Sequence, residues 1–216
     1  MTRFWTADLH LGHANIIRYS GRPFASVDAM NQALIERWND TVRDRDEVWV
    51  LGDVAMGKID ESLVLVTQLR GHKVLVAGNH DRCWSGHGAK AEPWLDRYRR
   101  AGFDEIRQGS ISASLGATEV LCCHFPYRGD SHDQERFVKH RPTDDGHLLL
   151  HGHVHERWRV HDRQVNVGVD VWDFRPISDD QILAALENES LARFLVAHDH
   201  DARNLIGFVL SQLFLE

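Results

Sequence analysis

The sequence predicts an α/β fold, and three observations predict it. Five short apolar runs each end in a cluster of Gly, Asp, Asn or His. Helical periodicities fall between the earlier runs, and strands alternating with helices at this spacing define the α/β class. At 216 residues the chain is long enough for one substantial core and short for two.

The first run, Arg3–Ala7, leads into Asp8-Leu9-His10. Runs of four to six apolar and β-branched residues bounded by glycine read as buried strands. A helix follows, with Ser26 as N-cap and Val27, Met30, Leu34 and Trp38 on one face. Glu47–Leu51 is the second strand and ends in Gly52-Asp53. Asp60–Leu69 places Leu63, Val66 and Leu69 on one side of a second helix that Gly71 stops. Lys73–Ala77 is the third strand, before Gly78-Asn79-His80-Asp81, and Trp94–Ala101 a third helix ending at Gly102. From Ile106 to Cys123 no helical period appears, so consecutive strands in a mixed or antiparallel sheet are expected there. Glu119–Cys123 runs into His124-Phe125-Pro126, and Leu148–Leu150 into His151-Gly152-His153-Val154-His155. Ser178 caps a last helix over Ser178–Leu186, with Asp179 and Asp180 in its first turn. The main domain is expected over residues 1–190. Residues 191–216 read as an extension, helical in its apolar part Leu205–Leu215 and packed on the domain.

Composition narrows the class. Apolar residues are 43% and charged residues 26%, as in globular proteins. No apolar run reaches the roughly 20 residues of a membrane span. The N-terminus lacks a secretory signal, and three cysteines make no disulfide framework, so the expected location is cytoplasmic. A net charge of −7 argues against a protein that coats nucleic acid through phosphate neutralisation alone. A nuclease stays open, because bound cations would reverse the local field.

In an α/β sheet ligands bind where strands end and loops begin, so the five polar clusters can converge on one crevice. Singly each is an ordinary turn; five in order, each after an apolar run, make a site. Carboxylate, amide oxygen and imidazole together suit Mn²⁺, Fe or Zn²⁺, and Ni²⁺ is compatible; no thiolate cluster suggests a structural zinc. Two such ions about 3.5–4 Å apart need a carboxylate able to bridge them.

The order Asp8-x-His10, Gly52-Asp53, Gly78-Asn79-His80-Asp81, His124, Gly152-His153-x-His155 resembles the calcineurin-like metallophosphoesterase superfamily, in a small single-domain form of the bacterial or phage type. The resemblance spans positions 8–155, and Asn166-Val167-Gly168 is similar to the closing strand of many members. It implies a two-sheet β-sandwich flanked by helices, with a site for two divalent metal ions, Mn²⁺ foremost, at one edge. It further implies Asp8, His10 and His155 on one metal, Asn79, His124 and His153 on the second, and Asp53 between them. His80 would face the substrate, as acid and stabiliser of the phosphoryl transition state while a metal-bridging hydroxide attacks. One departure is plain. Many members extend Gly-Asp to Gly-Asp-x-x-Asp or Gly-Asp-x-x-Arg, whereas here Gly52-Asp53 continues Val54-Ala55-Met56. The acid that orients the substrate-facing histidine is not at its usual place, and neighbouring Asp81 is a poor substitute because adjacent side chains point apart.

Beyond the ligands, Arg128, Arg22 and His13 are candidate substrate contacts. Arg128 leaves the same strand end as His124, and Arg22 is either a bidentate phosphate clamp or, more plainly, a structural ion pair. His132, His140 and His147 read as solvated loop residues, and Cys122 and Cys123 as apolar filler. The expected reaction is phosphoester hydrolysis, a diester favoured over a monoester and a nucleotide or small diester favoured over a nucleic acid strand. A nuclease would add a basic groove or stacking aromatics, and Lys58, Arg22, Arg82 and Arg128 are scattered along the sequence. A non-catalytic scaffold would lose metal-site histidines, which are all present. A metallo-β-lactamase-type zinc hydrolase would need His-x-His-x-Asp-His, which is missing. Oligomeric state is not legible.

Overall fold

A computed structural model describes the backbone of residues 1–197 and the side chains of residues 1–190. Ten strands form two five-stranded sheets flanked by helices. In the first sheet β1 (Arg3–Thr6), β2 (Glu47–Val50), β3 (His72–Val76) and β4 (Glu105–Arg107) run parallel, and β10 (Ile177–Ser178) pairs antiparallel with β1. The second sheet has the order β5 (Ile111–Leu115), β6 (Thr118–Cys122), β7 (Leu148–His151), β9 (Gln164–Asn166), β8 (Val160–His161). There β6, β7 and β9 are parallel, while β5 and β8 are antiparallel edges. The mixed pairing expected after Ile106 is present, except that β4 joins the first sheet.

Parallel strands must be linked by crossovers, and the crossovers carry the helices. Of these, α1 (Ala14–Tyr19) and α2 (Val27–Thr41) lie between β1 and β2. Ser26 caps α2 by accepting from the Ala29 N–H at 3.1 Å. Met30, Leu34 and Trp38, at the i, i+4, i+8 positions of one face, are buried with Val48, Val50 and Leu75 of β2 and β3. The segment expected as one helix over Asp60–Leu69 is a short α3 (Ile59–Ser62) followed by a 3₁₀ helix, Leu63–Gln68. The cause is in the spacing: Leu63, Val66 and Leu69 recur strictly every three residues, which matches the 3₁₀ period and not 3.6. Helix α4 (Glu92–Arg100) begins with Pro93 in its first turn, where a missing N–H costs nothing.

Two compact units divide the chain, Met1–Asp179 and Asp180–Glu216. The first contains both sheets. In the second, α5 (Asp179–Ala197) runs through position 190 without a break; the apolar stretch Leu205–Leu215 lies outside the described residues. Among the described residues no helix is long and apolar enough to cross a membrane.

Candidate metal centre

Because β1, β2 and β3 are mutually parallel in one sheet and β6 and β7 in the other, their C-terminal ends deliver Asp8 and His10, Asp53, Asn79 and His80, His124, and His153 and His155 to one edge. The loops are stitched to one another. The Asp8 N–H donates to Gly52 O at 3.0 Å, that of His10 to Asp53 O at 3.0 Å, and that of Gly152 to His124 O at 3.1 Å. Asp8, His10, Asp53, His153 and His155 all have φ between 52° and 72°, the left-handed region that non-glycine residues avoid. Gly52 (φ 89°) and Gly78 admit the close approach. A Cβ on Gly52 would stand 2.5 Å from His124 Nδ1, and one on Gly78 2.4 Å from Asp53 Oδ1.

The seven expected ligands are all buried. One set of donor atoms, from Asp8, His10 and His155, lies within 4.8 Å of one another, and so does a second from Asp8, Asp53 and His124. The Asn79 amide oxygen is 3.0 Å from His124 Nε2, which is 3.4 Å from Asp53 Oδ2. The His124 and His153 rings are 5.3 Å apart, centre to centre.

Outer partners decide which atom each ligand turns inward. His124 Nδ1 is 2.8 Å from Leu51 O, leaving Nε2 toward Asp53 and Asn79. His155 Nδ1 meets Asp170 Oδ2 at 3.2 Å, and His153 Nε2 meets Asp130 Oδ2 at 3.1 Å. Asp8 Oδ2 accepts the His153 N–H at 2.9 Å. Its other oxygen, Oδ1, and His10 Nε2 are buried with no hydrogen-bond partner. Such orphans are costly, and here they lie 4.0 Å from each other, with His10 Nε2 3.7 Å from Asp53 Oδ2 and the His10 ring 5.0 Å from that of His155.

The electrostatics have the same sense. Burial lifts the Asp8 carboxyl to about 6 and holds His10 well below the usual imidazole range. Burial also pushes Asp53 upward, but the charge of His124 and its hydrogen bond outweigh it and hold Asp53 well below the usual carboxylate range. Burial disfavours His124 as a cation, yet Asp53 and Asp8 raise it to about 9. The cluster therefore draws positive charge to its centre. This donor set, hard oxygens with imidazoles and two stranded acceptors, fits divalent cations.

His80 sits at the rim. Its N–H donates to Asp53 Oδ1 at 2.8 Å, and its ring lies 5.5 Å from that of His10. Burial lowers its pKa, favouring the neutral imidazole. Asp81 points the other way, as adjacency suggested. It is a buried clip whose two oxygens accept the N–H groups of Asp53 (2.8 Å), Val54 (3.0 Å) and Gly78 (2.9 Å) and the Tyr98 hydroxyl (3.2 Å).

The substrate candidates divide. His13 lines a cleft of about 560 Å³ together with His10, His80 and His155, its Nδ1 3.4 Å from His10 Nδ1. Arg22 is corrected: it is buried beneath the site, and all five of its N–H groups are engaged. They meet Asp170 twice (2.7 and 2.9 Å), Asp8 O, Leu9 O and the Met30 sulfur, so none is left for a phosphate. Arg128 is also corrected. It pairs with Asp162 beside the β8–β9 turn and does not line the cleft. The arginine that does is Arg136, held by Asp130 through Nε (3.0 Å) and Nη2 (2.7 Å). His132, read as a solvated loop residue, lines the cleft as well. Asp130 and Arg136 lie in an irregular stretch with no apolar run before it, and no sequence signal marked them.

Fold and site define a metal-dependent phosphoesterase, and the chain belongs to the calcineurin-like phosphoesterase superfamily, whose domain model matches residues 1–172. It is 33% identical to the Gene 66 protein of Mycobacterium phage L5 over 84% of this chain and 93% of that one. To the Gene 66 protein of Mycobacterium phage D29 it is 35% identical, over 83% and 94%. Among solved structures it is similar to AQ665 from Aquifex aeolicus, a protein of unknown function, at 25% identity and a TM-score of 0.64, covering 85% of this chain and 98% of that one.

Proposed function

We propose that this protein is a phosphodiesterase that works with two divalent cations, Mn²⁺ foremost. The observation that carries the reading is the pair of buried polar atoms without a hydrogen-bond partner, Asp8 Oδ1 and His10 Nε2, 4.0 Å apart and grouped with Asp53 and His155. Asp8, His10 and His155 would hold one cation, Asn79, His124 and His153 the other, with Asp53 shared. Once bound, the pair supplies Lewis acidity and a water acidic enough to ionise near neutral pH.

The chain's own residues do the rest. Leu51 O, Asp130 and Asp170 fix the inward nitrogens of His124, His153 and His155. His80, neutral at pH 7, offers an imidazole N–H to a phosphoryl or leaving oxygen at the cleft wall. Among the described residues Arg136 is the one arginine lining that cleft, a supply of positive charge suited to a diester monoanion better than to a monoester dianion.

The test is turnover of bis-p-nitrophenyl phosphate and of p-nitrophenyl phosphate with Mn²⁺. The diester is expected to be the better substrate. Asp53→Asn is expected to abolish turnover, and wild-type rates from that variant would overturn the reading. His80→Ala is expected to keep its metal content while kcat falls; loss of metal would make His80 a ligand instead.

A further inference from the structure

The cleft beside the centre adjoins further cavities. His80 and Met56 line both that cleft and a second cavity of about 220 Å³, which Asn79 and Arg82 also line. Arg82 and His87 in turn line both the second cavity and a third, of about 330 Å³, completed by Lys90 and Trp94. The three cavities thus adjoin in series, with His80 on the wall between the first two and Arg82 on the wall between the last two.

The charge along this path is positive. Arg82 and Lys90 are exposed and form no ion pair among the described residues, whereas nearby Arg97 and Arg99 are paired with Asp60 and Asp96. The Arg82 guanidinium lies 5.8 Å from the centre of the Trp94 ring. On the other side of His80, Arg136 commits Nε and Nη2 to Asp130 and keeps Nη1. Tyr19, 61% exposed, lines the same cleft. Among the described residues Glu156 is the one carboxylate lining any of the three cavities. Two unpaired cations on one flank, and on the other Arg136 with Nη1 uncommitted beside an exposed aromatic, suit a ligand bearing phosphates on both sides of the scissile one. A mononucleotide would leave one flank empty.

We propose that the substrate is a single strand of nucleic acid, laid through the His80 centre with flanking phosphates on Arg82 and Lys90 on one side and Arg136 on the other. This rests on the phosphodiesterase reading and names its substrate class. The basic groove that the sequence seemed to lack is made by folding: Arg82 and His87 leave the β3 end just after His80, and Trp94 on α4 backs them.

The test uses the full chain with Mn²⁺, bis-p-nitrophenyl phosphate, a dinucleotide, and single-stranded DNA and RNA oligonucleotides of about 12 residues. Oligonucleotide cleavage is expected with kcat/KM at least tenfold above the dinucleotide, and the DNA and RNA arms identify which strand is used. The oligonucleotides should also compete with bis-p-nitrophenyl phosphate, with a salt slope of log Ki near 2, about 0.7 for each of three cations. Arg82→Ala with Lys90→Ala should lower that slope by about 1.4 and cut the oligonucleotide-to-bis-p-nitrophenyl phosphate selectivity about tenfold. Hydrolysis of bis-p-nitrophenyl phosphate without oligonucleotide cleavage or competition overturns the proposal and leaves the diesterase reading standing. An unchanged slope in the double variant also overturns it. No hydrolysis of any diester sinks both.

Discussion

Replacing Arg22 with Met separates a structural cation from a substrate clamp. Met keeps length and apolar bulk but removes the fork. In the folded chain the change strands the Asp170 carboxylate, whose side chain is 2% exposed, with His155 as its remaining charged partner. Breaking one side of a buried pair costs about 3–5 kcal/mol. It also leaves Asp8 O and Leu9 O without the donors that met them at 2.7 and 3.0 Å, at about 1 kcal/mol each. A loss of roughly 5 kcal/mol is a large share of an ordinary domain's stability. With an m-value of about 2–3 kcal/mol per molar urea, the midpoint should fall by roughly 2 M, measured by tryptophan fluorescence in EDTA. Arg22→Lys keeps the charge without the bidentate geometry and should fall between the two. A midpoint unchanged within about 0.5 M, with a raised KM for bis-p-nitrophenyl phosphate, would refute the reasoning and restore Arg22 as a substrate contact.

Two further outcomes follow from buried polar groups. Asp81→Asn should cost about 2–4 kcal/mol in urea unfolding, since an amide presents an N–H group where the carboxylate accepted the loops after β2 and β3; Tyr98→Phe, removing one donor, should cost about 1 kcal/mol, and equal effects would count against the clip. Burial lowers His151 to about 3, so below pH 6.5 the unfolded chain takes up a proton that the folded chain refuses, and stability falls as pH falls from about 6.5 toward 3. By pH 5 this amounts to roughly 2 kcal/mol, which His151→Phe should recover in EDTA; parallel pH–stability curves would show that His151 is not the titrating group.

The convergence of the expected ligands was legible because each follows an apolar run, and parallel pairing brings the ends of such runs together. The supporting residues were not. Asp130 reaches His153 across 23 positions and Asp170 reaches His155 across 15, from irregular segments with no periodicity to mark them. Arg22 showed a choice between clamp and ion pair, and only the location of Asp170, 148 positions away, decides it. The 3₁₀ helix at Leu63–Gln68 was written in its spacing of three. The last stretch, Leu205–Leu215, had no partner pattern in the sequence and lies outside the described residues.

The seven expected ligands and His80 play unequal parts. Five of the seven expected ligands hold left-handed backbone, at about 1 kcal/mol or more apiece. That total, about 5 kcal/mol, rivals the net stability of a domain, so something in the fold must offset it. The contacts are at hand: Asp8 and His10 donate to the Gly52–Asp53 loop, Asp81 clips that loop to Gly78, and Arg22 takes the carbonyls of Asp8 and Leu9 from below. Each anchors backbone next to a strained residue. On the proposed reading, cations that bind only the folded arrangement add stability as RT ln(1 + [L]/Kd). His80 stands outside this scheme. Its φ is not in the strained set and no carboxylate orients its ring among the described residues; its N–H on Asp53 Oδ1 is what ties it to the centre.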